Sequence, residues 1–351
     1  MIIMITFKIL MVFNLPGSLY EEAALRRDEI RGYLRLRLDE LPDAREYWFS
    51  HDGEDDSLST AACDGASGFR EFSGLRLVAV NTATVSDSGD VVEGSFLDLL
   101  EAHAGFRERV RNLTAISELR NSLRAVSELR PDILLMDGSL IGTILRPVRY
   151  DGTLQADVKG WIRRNCLREI SASPDTMAVH SGSFKETLKD KFKSHRPLVY
   201  LEGLERLISA WKLLKKTRNI IAVSERSTMS DIFEDIPDMT VFDELTDGPG
   251  YSVPVHRELS HLKGRFPVLD AFFRSLEFTV FYARLEENGR VLKFEVPRRI
   301  SADAVADHFE SLRASSAGGY PHLLRRVKDD VRITDEDMDA IAGLILEGIY
   351  R

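Results

Sequence analysis

The chain has 351 residues, a formal net charge of −9 and an apolar content of 44%. This length holds one large domain or two ordinary ones, and the composition is typical of a soluble globular protein with a full core. The negative charge does not indicate a nucleic-acid partner, although a basic groove can lie on an acidic protein. The two cysteines, Cys63 and Cys166, are too far apart in sequence for a disulfide framework or a zinc motif, which favours the reducing cytoplasm.

The first 18 residues, MIIMITFKILMVFNLPGS, are mostly apolar. Lys8 interrupts the stretch, no basic segment precedes it, and it is too short to span a bilayer, so we expect neither a secretion signal nor a membrane anchor. We expect instead a packed first strand, a strand that faces a partner, or a start codon assigned too early. Residues 19–40 have helical spacing, so residues 1–50 are expected to form a strand and helix extension.

Strands and helices are predicted to alternate along residues 51–351. An acidic loop at 51–60 comes first, and a glycine-marked turn follows the first strand. The expected strands are 60–64, 75–85, 132–137, 219–225, 277–285 and 290–297, with a loop at 86–94 and a hairpin turn at EENG. The expected helices are 105–130, 184–216, 303–313 and 335–349. This order predicts an α/β class with a mixed sheet core flanked by helices.

Two Asp-Gly pairs border predicted strands, one at Asp64 in AACDGASG and one at Asp137 in DILLMDGSLIG. Functional sites of α/β sheets form at strand ends. Carboxylates gathered there bind Mg²⁺ or Mn²⁺, and two such metals activate water for phosphodiester hydrolysis. Asp-Gly is equally suited to an ordinary turn, so the spacing alone leaves both interpretations open.

The chain resembles the NurA family of nucleases in five segments that come in the same order. The first and second are AACDGASGFREFSGLRLVAV and RPDILLMDGSLIG, and the third is NIIAVSERSTMS. FYARLEENGRVLKFEVP and GGYPHLLRRVKDDVRIT are similar to the C-terminal hairpin and Tyr-Pro segment of the family. The resemblance covers most of the chain, and residues 51–351 are interpreted as a NurA-like nuclease domain.

This resemblance implies an RNase H-like core with helical and hairpin elaborations. It implies a Mn²⁺-dependent, or Mg²⁺-dependent, 5′→3′ DNA nuclease that also cuts single strands. It further implies a homodimer that works with a HerA-type hexameric ATPase in DNA end resection. No Walker motif is present, so this chain is not expected to be the motor itself.

Asp64, Glu118 and Asp137 are the catalytic and metal-binding carboxylates that the resemblance implies. Glu128 is an alternative to Glu118 on the same predicted helix. Tyr320 matches the Tyr-Pro segment and could orient water or phosphate, or could be a buried tyrosine with a satisfied hydroxyl.

Two positions depart from the family pattern. Lys328 stands where His is usual, and Glu225 stands where Lys is usual, with Arg226 beside it. Lys328 could contact DNA phosphate, assist the metal or be solvated, and Arg226 could contact DNA phosphate. Asp329 or Asp330 could supply a carboxylate instead.

Two alternatives to a metal-dependent nuclease remain open at this stage. The departures favour a catalytically weakened DNA-end clamp or assembly factor for the ATPase. A nuclease acting on RNA–DNA hybrids is a third interpretation. The basic stretch 185–196 could follow a phosphate backbone, or it could be a solvated helix face.

Overall fold

A computed structural model describes residues 17–39, 43–50, 58–72, 74–101, 103, 105–173 and 179–347. It divides into two compact units, Met1–Glu46 and Tyr47–Arg351. The expected boundary at residue 50 stays a prediction, and the expected strand within residues 1–14 lies outside the described residues. In the first unit, helix α1 spans Gly17–Asp39, as its helical spacing predicts.

A ten-stranded mixed sheet forms the centre of the second unit. The strands in this sheet are β1 Trp48–Ser50, β2 Thr60–Phe72, β3 Leu75–Ser86, β4 Val91–Glu101, β5 Ile133–Asp137, β6 Ile220–Ser224, β7 Gly250–Ser252, β8 Val255–Glu258, β9 Glu277–Arg284 and β10 Leu292–Val296. Their order is β1-β7-β9-β10-β6-β5-β2-β3-β4, with β8 paired to β9. A separate two-stranded ladder joins β11 Ser316–Ala317 to β12 Tyr320–Pro321.

Helices flank this sheet. They are α2 Phe106–Glu128, α3 Leu140–Leu145, α4 Ala156–Asn165, α5 Leu167–Ala172, α6 Lys185–Phe192, α7 Arg196–Lys216, α8 Asp238–Leu245, α9 Asp270–Arg274, α10 Ala302–Ala314, α11 His322–Asp330 and α12 Asp335–Leu346. The predicted fold class, an α/β core with a mixed sheet flanked by helices, is confirmed. Within the described ranges, no helix is both long and apolar enough to cross a bilayer.

The local topology places β2 at the junction of two kinds of pairing. It is antiparallel to β3 over twelve residue pairs and parallel to β5 over four. Strand β6 is parallel to β5 on its other side, and β10 is antiparallel to β6. The nearly continuous apolar run of β5 follows from this position, because both its faces are covered.

Three expected elements differ from the structure. The first strand does not end at residue 64 but continues to Phe72, so Asp64 lies inside a strand and not at its end. The loop expected at 86–94 is confined to a short turn, since β4 starts at Val91. The helix expected over 184–216 is two helices, separated where Lys193 adopts a left-handed backbone with φ 48°.

The capping signal before the last helix is confirmed. The Thr334 hydroxyl accepts from the Asp337 backbone N–H, and the Asp337 carboxylate accepts from the Thr334 backbone N–H. This reciprocal box satisfies two backbone donors that the first turn of α12 leaves without helical partners.

Candidate metal-dependent nuclease site

The parallel pairing of β2 and β5 brings Asp64 and Asp137 together. Cys63 is the partner of Met136 in this ladder, so Asp64 and Asp137 occupy the next position of the same register. Neighbouring parallel strands lie about 4.8 Å apart, and residues in register point to the same face. That face carries Ala62 and Leu135 in the core beneath helices α10 and α11. The two aspartates are therefore polar continuations of an apolar stripe.

Glu118 approaches β2 at the residue after Asp64, from the middle of α2 and over the bare backbone of Gly65. A Cβ atom at position 65 would lie 2.7 Å from Glu118 Cγ and 2.9 Å from Glu118 Oε1. A residue larger than glycine at position 65 would leave no room for the Glu118 side chain. The Asp-Gly pair at 64–65 is not a turn, because both residues lie inside β2. Its glycine instead leaves space for the carboxylate side chain of Glu118.

Several contacts fix the rotation of α2 and so the direction of Glu118. One turn after Glu118, the Asn121 amide donates to the Val92 carbonyl at 3.0 Å, and the Thr84 hydroxyl donates to Asn121. The thiol of Cys63 donates to the backbone carbonyl of Glu118 at 3.7 Å. The alternative acid, Glu128, is exposed and pairs with Arg124 at 2.6 Å, so the structure brings Glu118 and not Glu128 to the aspartates.

Two buried ion pairs hold α2 against α7. Arg109 donates to Glu202 at 2.7 Å, and Arg120 donates to Glu205 at 2.6 Å. Each carboxylate is satisfied in a place where an unpaired charge would be strongly destabilising. The pairs keep α2 rigid along the length that carries Glu118.

Burial and negative charge dominate the electrostatics of the cluster, and the charges of Lys328 and Arg146 oppose them only in part. Burial, followed by the charge of Asp137, raises the pKa of Asp64 to about 6. Burial raises the pKa of Glu118 well above its usual range, and Asp64 and Asp137 add to this effect. Carboxylates that destabilise one another in this way favour a bound cation or a proton.

Asp137 has two partners from α11 and the strand before it. The Tyr320 hydroxyl donates to Asp137 Oδ1 at 2.9 Å, and Lys328 Nζ lies 3.9 Å from Asp137 Oδ2. Burial and the nearby Asp137 charge raise the pKa of the Tyr320 hydroxyl, which therefore stays a proton donor at neutral pH. Its hydroxyl is satisfied by Asp137, so Tyr320 positions the carboxylate.

The two departures from the family pattern meet in space. Lys328 Nζ donates to Glu225 Oε1 at 2.8 Å, and this bond is the main cause that raises the pKa of Lys328. A basic group is thus retained beside Asp137, supplied by position 328 instead of 225. Lys328 is not merely solvated, since it contacts two carboxylates.

The other residues predicted from the sequence do not join Asp64 and Asp137. Arg226 lines a separate cavity of about 370 Å³ beyond Glu225 and makes no contact with the aspartates in the part of the chain that the structure describes. Asp329 and Asp330 are exposed, and Asp330 pairs with Arg326 at 3.7 Å. Neither replaces the three carboxylates of the cluster.

Sequence reasoning missed the residues that hold the Asp137 turn. Gly138 has φ 82°, and the Ser139 hydroxyl both caps α3 and donates to Glu295 Oε1 at 2.6 Å. Glu295 also accepts from the Ile141 backbone N–H and pairs with the buried Lys293. An alternating Lys-x-Glu on a buried strand was the available signal, because two buried charges on one face must be paired.

The donor set fits a hard divalent cation. The carboxylates of Asp64, Glu118 and Asp137 offer oxygen atoms, which are the ligands that Mn²⁺ and Mg²⁺ take. Among the described side chains, no three His, Cys, Asp or Glu groups already stand at metal-ligating separation. From the described residues, Asp137 accepts one hydrogen bond, from Tyr320 to Oδ1, so its carboxylate would keep free lone pairs for a metal.

The chain is similar to known proteins along most of its length. A NurA domain family model matches residues 58–333. The DNA double-strand break repair nuclease NurA of Saccharolobus solfataricus is 26% identical over 333 residues, covering 92% of this chain and 91% of that protein. The protein of the same name from Sulfurisphaera tokodaii is 23% identical over 340 residues, with 93% and 95% covered.

Solved structures share the fold. The crystal structure of the NurA nuclease from Sulfolobus solfataricus has a TM-score of 0.74 at 23% identity, covering 96% of this chain and 98% of that chain. A NurA structure bound to dAMP and manganese has a TM-score of 0.66 at 14% identity, covering 94% and 95%. At these identities the likeness is one of fold.

Proposed function

This chain belongs to the NurA family, and we propose that it is a divalent-metal-dependent deoxyribonuclease that hydrolyses phosphodiesters in DNA repair. One observation carries the proposal. Asp64 and Asp137 occupy adjacent positions of β2 and β5, and Glu118 packs over Gly65, near enough for the charges of both aspartates to raise its pKa. Burial raises the pKa of Glu118, the charges of Asp64 and Asp137 raise it further, and shifts of this kind are typical of functional sites.

Each residue has a distinct part in the proposed reaction. Asp64, Glu118 and Asp137 hold the metal, for which Mn²⁺ is the first candidate and Mg²⁺ the second. Bound there, divalent metal supplies an activated water and stabilises the leaving oxygen of the phosphodiester. Tyr320 fixes the orientation of Asp137 through its hydroxyl. Lys328 is a point charge beside the cluster that suits a DNA phosphate.

The direction of cleavage, the form of the DNA substrate and the partner protein are assigned from the family resemblance. We propose 5′→3′ exonuclease and single-strand endonuclease activity in the resection of DNA ends, with a HerA-type hexameric ATPase as partner. The cytoplasm is the expected compartment. The Lys328–Glu225 pair supports an active enzyme over a weakened clamp, since it keeps a basic group beside Asp137.

Asp137→Asn tests the proposed function directly. The amide keeps the shape of the side chain and removes the charge that holds the metal, so we expect a loss of cleavage of about 10³-fold or more with the fold intact. End-labelled single- and double-stranded DNA is digested with Mn²⁺, Mg²⁺ or EDTA. Glu128→Gln, which removes an exposed carboxylate of the same helix as Glu118, is the matched control.

Two results would overturn the proposal. Unchanged turnover in Asp137→Asn would place the chemistry elsewhere. Wild-type protein that binds DNA ends but cleaves nothing with either metal would be a clamp instead.

A further inference from the structure

We propose that a cavity beside the carboxylate cluster binds the DNA phosphate one linkage away from the scissile bond, with Arg290 and Arg325 as its anchors. The proposal rests on the proposed nuclease function. The cavity has a volume of about 430 Å³, which is within the range of small-ligand sites. Tyr320 and Lys328 belong to its lining, and both contact Asp137. Two lining residues of the cavity are therefore neighbours of Asp137, one of the proposed metal ligands.

The charges of the lining suit an anion. Arg290 and Arg325 both line the cavity and are exposed. In the described part of the chain, neither guanidinium has a carboxylate within ion-pair distance, whereas the acid in the lining, Glu225, is already paired with Lys328. Two unpaired guanidinium groups are well suited to a phosphate, because each presents a planar fork of N–H donors.

Part of the cavity lining is bare backbone. Gly318 and Gly319 have φ of 61° and 74°, a conformation that L side chains rarely adopt. A Cβ at Gly319 would lie 3.2 Å from the Cα of Gly289, and a Cβ at Gly318 would lie 3.5 Å from the Arg325 guanidinium. These glycines allow the β9–β10 turn, the turn before β12 and Arg325 to approach one another, which leaves a smooth surface for a sugar-phosphate chain.

In a second basic cavity, by contrast, the lysines are paired with carboxylates. It has a volume of about 350 Å³ and is lined by lysines of the stretch 185–196. Lys185 pairs with Asp98 at 3.1 Å, Lys189 pairs with Glu101 at 2.6 Å, and Lys193 lies 3.6 Å from Asp190. The lysines of this second cavity are neutralised by carboxylates of the protein itself, in contrast to Arg290 and Arg325.

The first arm of the test measures binding without cleavage. Wild type, the double variant Arg290→Ala with Arg325→Ala, and the control Arg326→Ala are titrated with single-stranded DNA in EDTA at several salt concentrations. Each lost phosphate contact should reduce the slope of log K against log salt by about 0.7. We expect a smaller slope for the double variant. Arg326 pairs with Asp330 and does not line the cavity, so its variant should keep the wild-type slope.

The second arm locates the phosphate. Oligonucleotides that carry one neutral methylphosphonate at successive linkages are cleaved with Mn²⁺. When the methylphosphonate replaces the phosphate at one linkage next to the cleaved bond, the KM of wild type should rise about tenfold. The KM of the double variant should be the same for this oligonucleotide as for unmodified DNA. Because both arginines are exposed, unchanged thermal unfolding midpoints should confirm that the variants are folded.

The outcomes separate the two proposals. If wild type cleaves DNA but the double variant keeps the wild-type salt slope, or remains sensitive to the same methylphosphonate, the cavity is not the phosphate subsite. If wild type cleaves no DNA, the nuclease proposal fails by itself, and the binding arm in EDTA still decides whether the arginines contact phosphate.

Discussion

The carboxylate of Asp64 shows how one residue acquires its property from its surroundings. Asp64 is only 8% exposed, and Asp137 lies beside it in the neighbouring strand β5. The Oδ1 atom of Asp64 accepts a hydrogen bond from the Gly65 backbone N–H at 2.7 Å. The hydrogen bond lowers the pKa, but burial and the charge of Asp137 together outweigh it and raise the pKa to about 6. Above that pH the folded protein carries a repulsive charge that the unfolded chain does not feel.

We expect Asp64→Asn to stabilise the metal-free protein at pH 8 but not at pH 4. The unfolded pKa is near 3.8 and the folded pKa near 6, so the stability associated with protonated Asp64 is present below the unfolded pKa and is lost as pH rises through the folded pKa. The difference amounts to about 1–3 kcal/mol above pH 6. Thermal unfolding in EDTA from pH 4 to pH 8 measures it, with Glu128→Gln as control. A constant difference between Asp64→Asn and wild type at all pH values would contradict the assignment.

At the scale of elements, the site depends on the contact between β2 and α2. Gly65 and Thr82 are partners across the β2–β3 ladder and face the helix, where Glu118 occupies the space that a side chain at 65 would fill. Asn121 and the two arginine–glutamate pairs set the helix rotation from the other side. The position of Glu118 is therefore a property of the packed pair of elements and not of either one.

Gly65→Ala should damage the metal site more than the fold. Its Cβ would lie 2.9 Å from Thr82 Cγ2 and still closer to Glu118 Cγ, so the glutamate must move away. We expect an overpacking cost of about 1–3 kcal/mol and a loss of Mn²⁺ affinity of about tenfold or more. Isothermal titration with Mn²⁺ and thermal unfolding check the two effects. Gly152→Ala is the control, because nothing lies within 4 Å of its added Cβ, and wild-type Mn²⁺ affinity in Gly65→Ala would remove Glu118 from the proposed ligand set.

At the scale of the molecule, the edge of the sheet has apolar side chains that face solvent. Strand β4 pairs only with β3 among the described strands, and it exposes Val91, Leu97 and Leu99 on one face. Exposed apolar edges favour association with another chain unless they are covered. This feature supports the homodimer that the family resemblance implies.

We expect a homodimer in solution. Multi-angle light scattering over a range of protein concentrations should give a mass near twice 39.7 kDa, the mass of one chain. A mass of one chain at every concentration would contradict the prediction. The measurement needs no metal or DNA, so its result is independent of catalysis.

The sequence by itself determined the elements with strong local signals. The apolar run before Asp137 predicted a buried strand, the helical stripe of α2 predicted its helix, and the Thr334–Asp337 box predicted the start of α12. The order of motifs identified the family, and the resemblance led to the prediction of Asp64, Glu118 and Asp137 as its acids. These features could be predicted because periodicity, capping and motif order are properties of neighbouring residues.

Only the tertiary structure decided where Asp64 lies and which helical acid joins it. The small residues around Asp64 resemble a turn, but twelve pairs with β3 override their low strand propensity. Helical periodicity cannot choose between Glu118 and Glu128, because the rotation of α2 is fixed by partners on β3, β4 and α7. Arg290 and Arg325 are far apart along the chain, and they line one cavity only because two glycine turns pack against each other. Such long-range approach depends on the packing of whole elements, which no local pattern encodes.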